Sequence, residues 1–320
     1  MSLIRTILGD IDPEDLGVCY AHEHIIIDVS FTINKEADFL INDVAKSTEE
    51  LIAFRKAGGR AMVDSMPCDC GRNIKKLAEI SRRSGVHILA PTGLHLQKYY
   101  DLGHWGQFYK EDQLLRLFVA EIEEGIDKYE YKGPIVGRTA YKAGLIKIAS
   151  GLDRLSDYEK KIFSVAAETH RRTGCPILTH TEQGTAALEQ ITFLRDHGVD
   201  LAHVVISHTD RRPDPVYHRE ILSTGVCVEY DSAFRWRIWQ GNPTLELVLD
   251  LIEDYPGQIM LGMDAARKTY WRSYGGGPGL TYLLTAFTDE MKQRGLTQHQ
   301  WDQIFIDNPA RAYSFAPVPG

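Results

Sequence analysis

The sequence predicts an α/β protein folded as a single (β/α)8 TIM barrel, and three observations lead to this fold. Eight apolar runs of strand length recur along the chain, amphipathic helical stretches separate them, and no low-complexity linker interrupts the alternation. Near-continuous apolar strands are typical of a parallel sheet that is covered on both faces. The 320 residues suit one large barrel. We therefore expect one domain over 1–320, with a short N-terminal extension and C-terminal helices.

The eight runs are the predicted barrel strands. In chain order they are residues 17–27, 60–66, 86–93, 143–150, 175–181, 202–209, 225–231 and 258–264. An open doubly wound sheet is the alternative. It is disfavoured because no G-x-G-x-x-G motif follows the first run, and the chain has no P-loop.

Two of the stretches between these runs carry clear helix signals. Ser156 is followed three residues later by Glu159, which is a capping box, and Gly174 is a stop signal, so a helix is predicted between them. In the stretch over 111–126, apolar residues recur near one face of a helix. These residues are Leu114, Leu117, Phe118, Ile122 and Ile126.

Composition excludes several classes of function. The net charge of −8 argues against a nucleic-acid or anionic-membrane partner, because both favour clustered positive charge. No apolar run approaches the length that crosses a bilayer, and the start of the chain lacks the pattern of a signal peptide. The five cysteines are too scattered for a disulfide framework, and Cys68 and Cys70 lack the nearby ligands of a zinc site. We therefore expect reduced thiols in a cytoplasmic protein.

Two segments are longer than ordinary loops. Residues 94–110 follow the third strand and are rich in aromatics, whereas residues 265–279 follow the eighth and are basic, aromatic and glycine-rich. Long loops in compact domains are usually functional or disordered, and the aromatic content argues against disorder. Both would lie at the C-terminal face of the barrel, where active sites are built.

Histidines and one aspartate gather at the ends of the predicted strands. His22 and His24 lie two residues apart in the first strand, so both imidazoles are expected to face the barrel interior. His180 ends the fifth strand, His208 the sixth and Asp264 the eighth. Alone, the H-x-H pair could be two hydrogen-bonded core histidines. Together, the five residues form a site with room for two divalent metals. Four other histidines are expected to be ordinary surface or capping residues: His170, His197, His218 and His299.

Lys147 lies in the apolar fourth strand, between Ile146 and Ile148. A buried ammonium group is costly unless it is paired or neutralised, and Glu229 or Asp231 could pair with it. Beside a metal site, however, its neutral amine can react with carbon dioxide to give a carbamate, an anionic two-oxygen ligand able to bridge two metals. Burial and nearby cations both favour that neutral amine. We therefore predict that Lys147 is N6-carboxylysine.

These residues resemble a known family. The sequence HEH, the strand-four lysine, THT, SHT and the strand-eight aspartate resemble the phosphotriesterase branch of the amidohydrolase superfamily. DCGRN, GLIKIAS, THTEQGT and DNPARAY are similar to segments of phosphotriesterase-like lactonases, so the resemblance covers nearly the whole chain. It implies a homodimer and a binuclear metal centre at the C-terminal face of the strands. The implied ligands are His22, His24 and Asp264 for one metal, His180 and His208 for the other, and carboxylated Lys147 between them.

Such a centre predicts a hydrolase. A hydroxide that bridges two metals is available near neutral pH, and one metal polarises the substrate carbonyl that the hydroxide attacks. Asp264 is expected to accept the proton of the bridging water and to deliver it to the leaving alkoxide. The ligand set suits zinc, manganese, cobalt or iron, and zinc is the first choice.

The loops indicate the substrate class. Acyl-homoserine lactonases of this family carry a tyrosine where this chain has Leu94 and His95, and an arginine where it has Ser232. Cations lie instead on two adjacent loops. They are Arg235, Arg237, Arg267, Lys268 and Arg272. Each could be a solvated loop charge, but in a chain of net negative charge they favour an anionic substrate group such as phosphate.

The combination resembles the phospho-furanose lactonases, which open five-membered sugar lactones that carry a 5-phosphate. Arg267 and Tyr270 are the predicted phosphate ligands, followed by Arg235. The residues predicted to contact sugar hydroxyls are His95, Lys98 and Tyr99. Three alternatives stay open: a phosphotriesterase or lactonase for uncharged lipophilic substrates, an amidase for a small acylated amine, and a non-catalytic barrel that binds no metal.

Overall fold

A computed structural model gives the structure of the protein over residues 2–31, 33, 36–133, 135–236 and 241–318. A short antiparallel hairpin, β1 (Ile4–Thr6) and β2 (Gly9–Ile11), precedes the barrel. The barrel strands are β3 (Cys19–Glu23), β4 (Ala61–Asp64), β5 (His87–Leu89), β6 (Pro91–Gly93), β7 (Leu145–Ser150), β8 (Ile177–Thr181), β9 (Val204–Ser207), β10 (Cys227–Tyr230) and β11 (Ile259–Leu261). The predicted barrel is confirmed, whereas the extent of one domain over 1–320 stays a prediction.

The eight predicted runs supply these strands, and the third run is divided into β5 and β6 at Ala90. β3, β4 and β5 pair in parallel, and β6 to β11 form a second parallel set in chain order. The ring closes between the last and first runs, where Met263 N and Asp264 N donate to the carbonyl of His22 at 3.3 and 3.1 Å. Strand β6 approaches β7 closely at Gly93, where φ is +104° and a Cβ would overlap the carbonyl oxygen of Lys147.

Helices alternate with the strands along the chain. They are α1 (Val44–Lys56), α2 (Ile74–Ser84), α3 (Trp105–Phe108), α4 (Glu111–Glu123), α5 (Asp157–Thr173), α6 (Ala187–Asp196), α7 (Pro215–Leu222), α8 (Pro243–Leu251), α9 (Thr288–Gln293), α10 (Gln298–Asp302) and α11 (Asn308–Ala312). Helix α5 confirms its sequence signals, because Ser156 and Glu159 form the capping box and Gly174 ends the helix at φ 71°. The apolar residues predicted for the helix over 111–126 are all buried, although α4 ends at Glu123 and Ile126 lies beyond it. No helix in the described ranges is both long and apolar enough to cross a membrane.

The barrel interior is layered. One buried cluster takes an apolar side chain from each of five neighbouring strands. These side chains are Leu145, Leu178, Val205, Cys227 and Met260. Because side chains alternate along a strand, the residues two positions later enter the same interior. In four of these strands they are Lys147, His180, Ser207 and Glu229. A polar layer therefore follows the apolar one toward the carboxyl ends of the strands.

Candidate metal centre

A cavity of about 380 Å³ lies at the carboxyl ends of the barrel strands. Its volume is in the range of small-molecule binding sites. All six residues predicted as metal ligands line it: His22, His24, Lys147, His180, His208 and Asp264. The fold thus brings the whole set together, while the role of each residue stays a prediction.

His22 and His24 reach the cavity because the first barrel strand changes register. Ala21 packs in the interior cluster, and the next residue, His22, nevertheless lines the cavity. The pairing of β3 with β4 shifts register between Tyr20 and Glu23. Such an irregularity re-aims the side chains that follow it. Without this shift, the side chains after Ala21 would alternate regularly, and the imidazoles of His22 and His24 would both point away from the barrel interior.

Asp264 lies against this histidine pair. Its Oδ1 is 2.8 Å from His24 Nε2 and 3.7 Å from His22 Nε2. One donor atom from each of the three residues lies within 4.8 Å of the others, so the group could hold a metal ion. Asp264 has φ of 46°, a left-handed conformation that is costly for an aspartate and typical of functional sites.

His180 and His208 form the second pair, with ring centroids 4.5 Å apart. His208 follows β9 with φ of 67°, and its Nδ1 is hydrogen-bonded to Asp231 Oδ2. A carboxylate at one ring nitrogen fixes the ring and leaves the other nitrogen free for a metal. His22 has a comparable arrangement, since its Nδ1 contacts Ser207 Oγ at 3.0 Å and Glu229 Oε2 at 3.4 Å.

Lys147 is buried in the cavity floor with 1% of its surface exposed. Its Nζ has no hydrogen-bond partner among the described residues, so the ion pair with Glu229 or Asp231 that the sequence left open does not form. Burial lowers the pKa of the amine to about 8, against the raising effect of Glu229. A lysine that is partnerless and easily deprotonated fits the chemistry of a carbamate ligand.

Glu229 is another buried ionisable group here, and its Oε2 lies 3.4 Å from His22 Nδ1. Neither carboxylate oxygen is hydrogen-bonded within the described part of the chain, and burial raises its pKa well above the ordinary value. It shares a possible ligand group with His22, His208 and Asp231. Lys147 Nζ and the Glu229 oxygens make no hydrogen bonds within the described part of the chain, so these atoms are available to bind a metal or its ligands. The donor set therefore fits a divalent metal.

Two arginines hold the far side of Asp264. Arg211 Nη2 donates to Asp264 Oδ2 at 2.7 Å, and Arg235 Nη2 donates to the same oxygen at 3.0 Å. Burial raises the pKa of this carboxyl, but the charge of Arg235 and the contact with His24 outweigh it and hold the pKa well below its usual range. Asp264 is thus an anion with one oxygen toward the histidines and one toward the guanidinium groups.

Five of the six predicted substrate-binding residues line the cavity: Arg235, Arg267, Tyr270, His95 and Tyr99. The guanidinium group of Arg267 forms an ion pair with Glu36. Lys98 is not among the described residues that line the cavity, and its Nζ donates to Glu182 Oε2 at 2.8 Å. Lys268 and Arg272 do not line it either, and Arg237 lies outside the described residues.

The sequence did not single out Arg211, Glu23 or a supporting role for Asp231. Glu23 points away from the cavity, and its carboxylate accepts from Met263 N at 2.8 Å and from Ala265 N at 3.3 Å. It therefore fixes the backbone on both sides of Asp264. The HEH sequence contained a signal for this role, since the residue between two inward histidines must point elsewhere.

Two of the four histidines expected to be surface or capping residues are buried. His170 Nδ1 donates to Cys175 O at 2.9 Å, and His218 Nδ1 lies 2.8 Å from Tyr230 Oη. His218 Nε2 also lies 3.1 Å from Thr209 O, next to the loop that carries His208. Because they are satisfied by local partners, both are structural core histidines.

Comparisons with known proteins agree with this geometry. The chain matches the model of the Phosphotriesterase family over residues 2–313. One relative is a phospho-furanose lactonase of Mycoplasmopsis synoviae (strain 53). It is 35% identical over 322 residues, which cover 97% of this chain and 91% of that protein.

Solved structures give the same result. A crystal structure of an amidohydrolase from Mycoplasma synoviae superimposes with a TM-score of 0.94 at 33% identity, covering 100% of this chain and 94% of that one. The lactonase of Listeria monocytogenes superimposes with a TM-score of 0.90 at 32% identity, covering 99% of this chain and 100% of that one.

Proposed function

The chain belongs to the phosphotriesterase family and is a metal-dependent hydrolase, and from this premise we propose that it opens a furanose γ-lactone that carries a 5-phosphate. One observation carries the proposal. Three arginines, Arg211, Arg235 and Arg267, line the same cavity as the candidate metal ligands, in a chain whose net charge is −8. Arginines placed in this way favour an anionic substrate. The relative named as a phospho-furanose lactonase supports the same substrate class.

We propose two divalent ions, zinc first, with manganese, cobalt and iron as alternatives. The residues that would hold them are His22, His24 and Asp264 for one ion, His180 and His208 for the other, and Lys147 as a carbamate between the two. When bound, such ions supply Lewis-acid polarisation and lower the pKa of water. The partnerless Nζ of Lys147 supports its proposed modification.

Asp264 is the proposed proton carrier. Arg211 and Arg235 occupy its Oδ2, so Oδ1, which faces His24, is the oxygen placed to take a proton from water. Hydrolysis adds water across the acyl C–O bond of the lactone, and the ring oxygen leaves as a hydroxyl group. Asp264 delivers the proton to that oxygen. The products are a carboxylate, a free hydroxyl and one released proton.

The phosphate end of the substrate is proposed to lie at Arg267 and Tyr270. Both residues follow the last barrel strand and line the cavity. Arg235 was the next candidate, but both of its terminal nitrogens are committed to Asp231 and Asp264. We therefore propose that Arg235 mainly holds these two carboxylates. His95 and Tyr99 lie on the opposite loop, where they are proposed to contact sugar hydroxyls, and Lys98 is proposed only as a neighbour of that loop.

The second candidate function has its own observation. Ile27, Phe39 and Met66 give the cavity an apolar wall. Such a wall suits an uncharged lipophilic lactone or an organophosphate triester. An amide could also be attacked in the same site. Uncharged substrates need no cation at Arg267. The effect of a substrate phosphate on activity therefore distinguishes the two candidate functions.

The test compares pentono-1,4-lactones with and without a 5-phosphate, using metal-loaded enzyme. We expect a clear preference for the phosphorylated lactone in kcat/KM. Arg267→Ala and Tyr270→Phe should reduce that preference, while Arg294→Ala, which removes an exposed arginine paired with Glu246, should not. Faster turnover of an uncharged acyl lactone than of any phosphorylated one would reject the proposal.

Cell compartment and assembly complete the proposal. All five cysteines are free and buried, which supports a reducing compartment, and we propose the cytoplasm. A small-molecule substrate without a nucleic-acid or membrane partner agrees with the net negative charge. The homodimer stays an expectation from the family resemblance, and gel filtration with light scattering would test it.

A further inference from the structure

Arg211 lies between the proposed metal ligands and the open part of the cavity. It ends the short turn Thr209–Arg211 that follows His208, and it lines the cavity with 28% of its side chain exposed. Its Nη2 donates to Asp264 Oδ2 at 2.7 Å and to Asp231 Oδ1 at 3.1 Å. One terminal nitrogen of Arg211 thus contacts both carboxylates of the site.

Arg235 also donates hydrogen bonds to these two carboxylates. Arg235 Nη1 donates to Asp231 Oδ1 at 2.8 Å, and Arg235 Nη2 donates to Asp264 Oδ2 at 3.0 Å and to its carbonyl oxygen at 2.7 Å. Both terminal nitrogens of Arg235 are therefore used inside the protein. Those of Arg267 are likewise occupied, by Glu36.

Arg211 also has unused N–H donors, and unlike Arg267 it lies directly against Asp264. A guanidinium group carries five N–H donors, and Nη2 accounts for two of them. Within the described part of the chain, Nη1 and Nε of Arg211 make no hydrogen bond. The cavity therefore contains an arginine with unused donors whose position is fixed by contact with Asp264.

We propose that Arg211 contacts the reacting end of the substrate, with Nη1 donating to an oxygen of the lactone group while Nη2 holds Asp264. The inference rests on the proposed function, in which ring opening turns the lactone group into a carboxylate. A hydrogen bond from a guanidinium group to a carboxylate oxygen is charge-assisted and is therefore stronger than one between neutral groups. Arg211 thus acts at the end opposite to the phosphate site of Arg267.

The test uses Arg211→Met and Arg211→Lys, with Arg212→Met as the matched control. Arg212 is the next residue, is about half exposed, and contacts the Tyr217 ring at 4.1 Å and Asp214 at 3.9 Å rather than the cavity. The substrates are the same pentonolactones with and without the 5-phosphate. Removing one preorganised donor at a reacting oxygen typically costs about a hundredfold in rate. We expect Arg211→Met to lower kcat/KM by about that factor on both substrates, and Arg212→Met to change neither.

Four further measurements separate a substrate contact from a structural role. Guanidinium ion added to Arg211→Gly should restore part of the activity, because it can occupy the vacated place. The metal content and the unfolding midpoint of Arg211→Met should stay close to those of the wild type. Binding of the unphosphorylated pentonate, measured by calorimetry on metal-loaded enzyme, should weaken about tenfold, in line with the loss of a charge-assisted hydrogen bond.

Three results would overturn the assignment. A loss confined to the phosphorylated lactone would place Arg211 at the phosphate, an equal effect of Arg212→Met would give it no specific role, and a parallel loss of metal would make it structural. If the wild type shows no preference for phosphorylated lactones, the proposed function fails instead. Arg211 is then judged by pentonate binding alone, where unchanged affinity in Arg211→Met overturns the contact and weakened affinity supports it.

Discussion

Arg267 forms an ion pair with Glu36 through both terminal nitrogens, which links the loop after the last barrel strand to the loop after the first. Asp38 lies beside the pair, with its Oδ2 3.7 Å from Arg267 Nη1, and it accepts from Thr269 N at 3.2 Å and from Thr269 Oγ1 at 2.8 Å. The Glu36 side chain has no further hydrogen-bond partner among the described residues and is 44% exposed. Glu36 thus occupies the donors that an anionic substrate would use.

Glu36→Gln should therefore free Arg267 for phosphate. Exposed ion pairs contribute about 0.2 to 1 kcal/mol, so inorganic phosphate should inhibit this variant about two- to fivefold more tightly than the wild type. The inhibition constant is measured with the unphosphorylated lactone as substrate. Glu246→Gln, which removes the same charge from a surface pair with Arg294, should leave the constant unchanged. Weaker inhibition of Glu36→Gln would mean that Glu36 orients Arg267 rather than competing for it.

Lys147→Ala should lose bound metal and activity together. Removal of the proposed bridging carbamate leaves the histidines without their shared anion, and we expect kcat to fall by about a thousandfold or more. Metal content is measured by inductively coupled plasma mass spectrometry after dialysis. Added short-chain carboxylate should restore part of both signals, since it can supply the missing oxygens. Lys160→Ala, on the exposed face of α5, is the control, and full metal occupancy in Lys147→Ala would contradict the bridge.

Glu23→Gln should disturb Asp264 without touching the cavity. The carboxylate accepts from Met263 N and Ala265 N, and an amide would turn an N–H group toward one of these donors. We expect a loss of about 1 to 3 kcal/mol in the free energy of unfolding. A displacement of Asp264 by even about 1 Å should also lower kcat about a hundredfold. Urea denaturation and steady-state kinetics check both effects, with the exposed Glu14→Gln as the control. Wild-type kinetics in Glu23→Gln would show that Asp264 is positioned by other contacts.

Arg72 should be important for stability rather than for chemistry. It is fully buried and donates to Glu121 through two nitrogens, at 2.9 and 2.7 Å, and to Glu130 at 2.8 Å. Removal of one partner of a buried ion pair leaves uncompensated charge, so Arg72→Met should cost about 3 to 5 kcal/mol of unfolding free energy. Arg83→Met removes an exposed pair with Glu79 and should cost less than about 1 kcal/mol. Equal midpoints of the two variants in urea would refute this account.

The sequence predicted the position of site residues best where each strand contributed a single inward residue at its carboxyl end. Parallel barrel strands all point their carboxyl ends to the same face, so polar residues at those ends must meet. This rule placed His180, His208 and Asp264 at one cavity, and the family resemblance drawn from them is confirmed. The inward direction of His22 needed the register shift in β3, which no periodicity of the sequence contains.

Loop charges were harder to interpret, because their partners come from distant parts of the chain. The sequence marked Arg235 and Arg267 as open cations, yet the fold pairs them with Asp231, Asp264 and Glu36. It passed over Arg211, whose Nη1 and Nε make no hydrogen bond in the described part of the chain. A loop side chain has no periodic constraint on its direction, so its partner is decided by packing.

By itself, the sequence determined the barrel, the family and the ring of nitrogen and oxygen donors, because strand period and strand-end position are local properties of the chain. Only the tertiary structure decided that Lys147 Nζ makes no hydrogen bond among the described residues, that Asp264 divides its two oxygens between histidines and arginines, and that Arg211 lines the cavity. These relationships join residues that are tens to hundreds of positions apart. They are set by burial and charge compensation across the closed barrel, which no local pattern encodes.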